Sequence, residues 1–176
     1  MKINLRRVTT GAVLIAAASA FLFCTGFTKA SDHGNHENGY LKSATYYSDD
    51  WVINFWNSES SHMDEELKQI REDGFNSIIL VVPWREFQPS MAPEHYNDYA
   101  WEKFDRVMKA AKAQDLKVML RVGYTWDYYS SENVLARYEK LLYDSETKKA
   151  WLHYAKRLYE KASAYDNFSG GFITWE

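Results

Sequence analysis

Four stretches of the chain place aromatic side chains beside amides, an arginine or carboxylates just where an apolar run gives out. Trp56 and Asn57 close "WVINFWN", and Trp84, Arg85, Glu86 and Gln88 follow "NSIILVV". Arg121, Tyr124, Trp126 and Asp127 end and follow "LKVMLRV", and Trp175 and Glu176 close "GGFITWE". Flat aromatic faces stack on the C–H face of a sugar ring, and carboxylates supply an acid, a base or a nucleophile. If the four stretches share one rim, they suit an uncharged, polyhydroxylated ligand.

The elements needed to build that rim are legible as alternating strands and helices. "WVINFW" reads as a first strand, and "SSHMDEELKQIREDG" as a helix capped by Ser60 or Ser61, with acids in its first turn and Met63, Leu67 and Ile70 on one face. Gly74 ends it. "NSIILVV" is continuously apolar and β-branched, as in a strand covered on both faces. The loop "PWREFQPSMAPEHYND", holding all three prolines, leads to a second helix over 99–113, on which Trp101, Phe104, Met108 and Ala111 recur at helical spacing. "LKVMLRV" is the third strand. A helical region over 134–164 follows, broken near Asp144 and Ser145, with Trp151, Tyr154, Leu158 and Ala162 as a core stripe. "GGFITWE" is the fourth strand.

The junctions "REDGFNSIILVV" and "AKAQDLKVMLRV" echo each other at the interval expected of successive βα units. Apolar strands joined by helices make a parallel sheet with right-handed crossovers, either open and doubly wound or closed as a (β/α)8 barrel. The doubly wound nucleotide binders carry a Gly-rich turn after the first strand, and here that place is "NFWNSESSH". The expected fold is therefore α/β, a (β/α)8 TIM barrel. Such a barrel needs about 250 residues, so about the first four βα units are present.

Residues 1–30 carry Lys2, Arg6 and Arg7 before the apolar run "GAVLIAAASAFLF", with Thr28 and Ala30 beyond it. That is the layout of a secretory signal cleaved after Ala30, or of an uncleaved membrane anchor, since the apolar stretch continues to Phe27. Either places the body outside the cytoplasm, secreted or at the cell surface. Cys24, the one cysteine, follows Phe23 where a lipoprotein signal wants a small residue, and its removal would leave no disulfide to support the core. The segment holds four bases and no acids, so the remainder has a formal charge of −7 against −3 for the whole chain. An acidic body argues against nucleic acid or an anionic membrane as partner. Residues 31–48 read as a polar lead-in. His33 and His36 lie there with nothing to fix ligand geometry, so neither a metal nor a cofactor is expected.

"GFNSIILVVPWREFQP" resembles the second-strand segment of the (β/α)8 retaining glycoside hydrolases, the clan that includes cellulases and β-galactosidases. "WEKFDRVMKAAKAQDLKVMLRVGYTWDY" is similar to that clan's next unit. The likeness runs from about Trp51 to Glu176, and residues 49–176 are identified with the N-terminal half of such a barrel. It implies a carbohydrate substrate and two catalytic glutamates, an acid/base ending strand four and a nucleophile ending strand seven. By order Glu176 falls on the first, although the clan places Asn before that glutamate and this chain has Trp175. An alternative role for Glu176 is structural or substrate-binding. The likeness also makes Trp84 a sugar platform or a lid, sets Arg121 near the catalytic carboxylates or in solvent, and gives Tyr124, Trp126, Asp127 and Trp175 to substrate. Glu86 reads as a surface carboxylate, and Asn167 in "NFS" matches a glycosylation acceptor. Two further readings stand beside the hydrolase: a non-catalytic carbohydrate-binding or cell-surface protein, and a small α/β domain with an unrelated role. Without a seventh strand, the 176-residue chain alone is expected to be inactive and prone to associate.

Overall fold

The computed structural model describes residues 40–123 and 136–173. The expected signal segment, the lead-in before Tyr40, and five of the candidate site residues (Tyr124, Trp126, Asp127, Trp175 and Glu176) lie outside the described residues. Among those described, no helix is long and apolar enough to cross a membrane.

The elements run β1 (Ser43–Thr45), a 3-10 turn (Asn54–Asn57), α1 (Met63–Glu72), β2 (Ser77–Val81), α2 (Trp84–Phe87), β3 (Ser90–Met91), β4 (Glu94–His95), α3 (Asp98–Ala113), β5 (Lys117–Arg121), α4 (Ala136–Tyr143), α5 (Ser145–Ala162) and β6 (Phe168–Phe172). The main sheet has the order β1-β2-β5-β6, and every neighbouring pair is parallel. Its strands thus lie side by side in chain order, as in a barrel wall and unlike a doubly wound sheet, whose order reverses.

Strand alternation decides which face the helices cover. Ile78, Leu80 and Val82 around β2, with Val118, Leu120 and Val122 around β5, are fully buried in one cluster with Leu67 of α1, Phe104, Val107 and Met108 of α3, and Tyr154, Leu158 and Ala162 of α5. The intervening Ile79, Met119 and Arg121 are only half-buried on the opposite face. The long loop after β2 holds α2 and the antiparallel β3–β4 hairpin, with a cis peptide at Ala92-Pro93.

Local chemistry sets the element ends. Gly74 takes φ +81° after α1, a conformation that costs a residue with a Cβ. The Asn97 side chain accepts from the Ala100 amide at 3.4 Å to cap α3. Asp144 divides α4 from α5 where the sequence places the break: its carboxylate accepts from the Thr147 amide at 2.8 Å and the Thr147 hydroxyl at 2.6 Å. Gly171 is required by close approach, because a Cβ there would stand 2.5 Å from Tyr159 Oη and 2.7 Å from the Leu120 carbonyl oxygen.

One strand assignment is corrected. "WVINFW" is not the first strand; that role belongs to Ser43–Thr45, inside the segment read as a lead-in. Adjacent residues of a strand face opposite ways, yet Phe55 and Trp56 are both buried, which the 3-10 turn permits. The Trp56 indole donates to the Val81 carbonyl at 2.8 Å. The true β1 is short and made of small and polar residues, so it has no apolar signature. It is held by Tyr46 N to Ile79 O at 3.0 Å and by Asn76, whose side chain accepts from Lys42 N at 2.8 Å and donates to Tyr40 O at 2.9 Å. The expected serine cap of α1 is replaced by His62, which makes no side-chain cap bond.

Candidate functional site

The carboxyl ends of β2 and β5, with the turns that follow them, form the described part of the rim. Strand β2 leads through Val82 and Pro83 into α2, whose first residue is Trp84. Trp84 is 0% exposed: its ring stacks on Tyr154 with centroids 6.4 Å apart, and the Arg137 guanidinium carbon lies 5.0 Å from its centroid. Its indole donates to Gln88 Oε1 at 2.5 Å. The platform expectation is therefore corrected for this conformation, in which no face of the ring is open to a sugar. Trp84 forms a floor under the rim.

Glu86 also overturns its surface assignment. It is 6% exposed, and one carboxylate oxygen accepts from the Asn57 side-chain amide. Asn57 in turn accepts from the Asn97 amide at 2.8 Å, and Asn97 also donates to the Glu86 carbonyl at 2.9 Å. Burial pushes the Glu86 carboxyl up, against the lowering effects of the Asn57 bond and of Arg85 and Arg137. This acid has a held proton affinity and a fixed orientation. It is held by an amide network of Asn57 and Asn97 at the sheet edge.

The turn that carries Asn57 is anchored from below. Lys103 of α3 is 0% exposed and donates to the carbonyls of Phe55 and Ser58, the latter at 2.8 Å, with its ammonium 3.9 Å from the Phe55 ring centroid. Desolvation lowers its pKa to about 8. Arg137 of α4 clamps the other flank, donating to the Gln88 carbonyl at 2.7 Å and the Pro89 carbonyl at 2.5 Å, and burial lowers its pKa to about 10. A further chain of bonds leads outward: Gln88 donates to Glu94 Oε1 at 3.1 Å, and Tyr96 donates to the same oxygen at 2.8 Å.

Arg121 ends β5, half-buried beside Val81 of β2, and its carbonyl accepts from the Val82 amide at 3.1 Å. The structure thus brings Trp84 and Arg121 to the same edge of the sheet. Among the described residues, no cluster of three or more His, Cys, Asp or Glu could hold a metal ion. Asn167 is buried, donating to the Met108 carbonyl at 3.1 Å and the Leu116 carbonyl at 3.3 Å, so it pins the α3–β5 connection and presents no glycan acceptor at the surface.

This sheet, with helices on one face, overlays on part of several solved structures. A GH5_18 variant from Bifidobacterium longum in complex with Manβ1-4GlcNAc matches with a TM-score of 0.63 at 20% identity, over 76% of this chain and 33% of that chain. The fold is that of a partial GH5 barrel. A GH5_18 variant from Streptomyces cattleya, also in complex with Manβ1-4GlcNAc, matches with the same score at 17% identity over 76% of this chain and 33% of that one. The exo-β-1,4-mannosidase Op5Man5 from an Opitutaceae bacterium matches at 0.63 and 17%, over 76% of this chain and 24% of that one. The chain thus spans a quarter to a third of the length of these GH5-type structures. No family model matches the sequence, and no curated protein does.

Sequence reasoning missed Asn97, Lys103 and Arg137 as builders of the rim, and placed Glu86 at the rim but read it as a surface carboxylate. For Glu86 a signal was present: it stands three residues after Pro83, on the sheet edge where parallel folds work. Lys103 had one too, lying between Trp101 and Phe104 on the buried side of α3. Nothing in the local sequence marks Arg137, whose partners are backbone carbonyls 48 and 49 residues away.

Proposed function

We propose that the chain supplies the N-terminal half of an extracytoplasmic glycoside hydrolase of retaining type, acting on an oligo- or polysaccharide. The observation that carries this reading is the sheet itself, four parallel strands in chain order with helices on one face, overlaying the GH5 barrels. The co-occurrence of Manβ1-4GlcNAc in two of those structures makes a β-mannoside the first substrate class to try.

In this reading Glu176 is the acid/base and protonates the leaving oxygen, while a second carboxylate about 5 Å away, supplied by the other half of the barrel, attacks the anomeric carbon. Arg121, Tyr124, Trp126, Asp127 and Trp175 hold the sugar, and Trp84 supports them from beneath. The N-terminal segment serves secretion or anchoring. The test is Glu176→Gln in the secreted product of the gene. Release of mannose from a β-mannoside should fall by a factor of about 100 to 10,000, the usual contribution of a positioned acid/base. Sugar binding without turnover, unchanged by the substitution, favours the non-catalytic binding protein, a reading motivated by Trp175 standing where the clan has Asn.

A further inference from the structure

A cleft of about 740 Å³ lies between the β3–β4 hairpin and the junction of α4 with α5. That volume falls in the range of small-ligand pockets. Met91 and Ala92 from the hairpin and Ala150 from α5 give it an apolar wall. Two elements fix its place in the fold. Tyr154, midway along α5, donates to the Val82 carbonyl just past β2, and α5 runs on from there toward the start of β6. The turns of α5 before Tyr154, with Glu146 and Lys149, therefore stand beyond the strand ends, on the side where parallel sheets bind ligands. The hairpin is tied to the same side, because Gln88 accepts from the Trp84 indole and donates to Glu94.

The side chains around this wall suit hydroxyl groups and not an ion. Three carboxylates, of Glu94, Asp144 and Glu146, face the ammonium groups of Lys140 and Lys149 and the His153 imidazole, so neither sign prevails by enough to select a charged ligand. Asp144 is taken up in capping α5, Glu146 pairs with Lys149 at 2.7 Å, and Glu94 Oε1 accepts from both Gln88 and Tyr96. Glu94 Oε2, Lys140 and His153 make no hydrogen bond to another described residue and lie on exposed side chains, one an acceptor, one a donor and one able to be either. Tyr143 supplies what Trp84 does not: it is 71% exposed, so its ring is open to stacking on the C–H face of a sugar. We propose that this cleft binds a neutral saccharide chain, with Tyr143 as the stacking face and Glu94, Lys140 and His153 as partners of its hydroxyls. The cleft's own side chains carry this site, and only the choice of β-1,4-linked probes rests on the proposed function.

The experiment is methyl NMR on the secreted product of the gene, isotope-labelled at its methionine methyls and carrying Glu176→Gln so that turnover does not consume the sugar. The Met91 signal is assigned with Met91→Leu, a change of similar volume at a half-buried position. Mannotetraose, cellotetraose and xylotetraose are titrated in turn. The Met91 methyl should shift saturably with at least one of them, while that of Met108, fully buried in the helical layer, stays in place. Tyr143→Ala should weaken the binding about threefold to tenfold, the loss of one aromatic stacking contact, and Tyr143→Phe should keep it. A Met91 signal unmoved by every sugar, or a shift indifferent to Tyr143→Ala, would overturn the proposal. Hydrolysis is scored apart: a silent Met91 leaves the Glu176 test standing, whereas a Met91 response in a protein whose parent releases no sugar refutes the hydrolase and not the cleft.

Discussion

Tyr154 joins the helical layer to the rim, and deleting only its hydroxyl isolates one term of the packing account. The side chain is fully buried, its hydroxyl donates to the Val82 carbonyl at 2.8 Å, and its ring packs against Trp84, Phe87 and Trp101. Tyr154→Phe preserves those ring contacts and leaves the Val82 carbonyl oxygen without this donor. A net hydrogen bond is worth about 1 kcal/mol, and a buried acceptor stripped of its partner costs about 1 to 3 kcal/mol. The Val82 amide remains bound to the Arg121 carbonyl at 3.1 Å, so the backbone stays in place and the lower half of that range, roughly 1 to 2 kcal/mol, is expected. Urea unfolding of the full chain, followed by tryptophan fluorescence, should show an earlier midpoint with an unchanged slope, since the surface exposed on unfolding is the same. Tyr154→Leu removes ring contacts as well and should cost more than the Phe variant. A Tyr154→Phe variant within about 0.3 kcal/mol of the parent would refute the reasoning, because such a value is below the cost of any stripped buried acceptor.

Three further substitutions probe other supports of the rim. Gly171→Ala drives a Cβ into the Leu120 carbonyl and the Tyr159 hydroxyl, so the strand must shift, and urea unfolding should show a loss of about 1 to 3 kcal/mol. Lys103→Met tests the buried ammonium through pH. Between about pH 8 and the ordinary lysine range the unfolded chain keeps a proton that the folded chain has shed, so the parent gains stability with rising pH relative to the Met variant, and parallel unfolding curves that never diverge there would count against a buried amine. For Glu86→Gln the sign reverses. The folded carboxyl holds its proton above the usual carboxylate range, so the parent loses stability as pH rises through that window while the Gln variant does not, and thermal midpoints over mildly acidic pH should show the gap.

The sequence reveals the elements that rest on long apolar runs or helical stripes. β2, β5, α3 and the divided α4–α5 region lie where "NSIILVV", "LKVMLRV", the Trp101–Ala111 stripe and Asp144 place them, because burial on a helix or a two-sided strand dictates residue type directly. The first strand was hidden for the opposite reason. Ser43–Thr45 is a short edge strand of small and polar residues stabilised by Asn76, and the aromatic "WVINFW" outweighed it by composition while folding as a turn. At the site, the edge of the sheet was legible, but which side chains face outward was not. Trp84 and Glu86 are buried by partners far along the chain: Tyr154 and Arg137 on one, Asn57 and Arg137 around the other. Such contacts come from tertiary packing, which no local window contains.

The central claim is that this sheet is half of a retaining hydrolase barrel, and the stereochemistry of the reaction tests it most directly. The secreted product of the gene would be given a β-mannoside in deuterated buffer, and the first sugar released read by proton NMR before it mutarotates. The account predicts that the β-anomer appears first and that Glu176→Gln suppresses it. First release of the α-anomer, or release that is indifferent to Glu176, would contradict it.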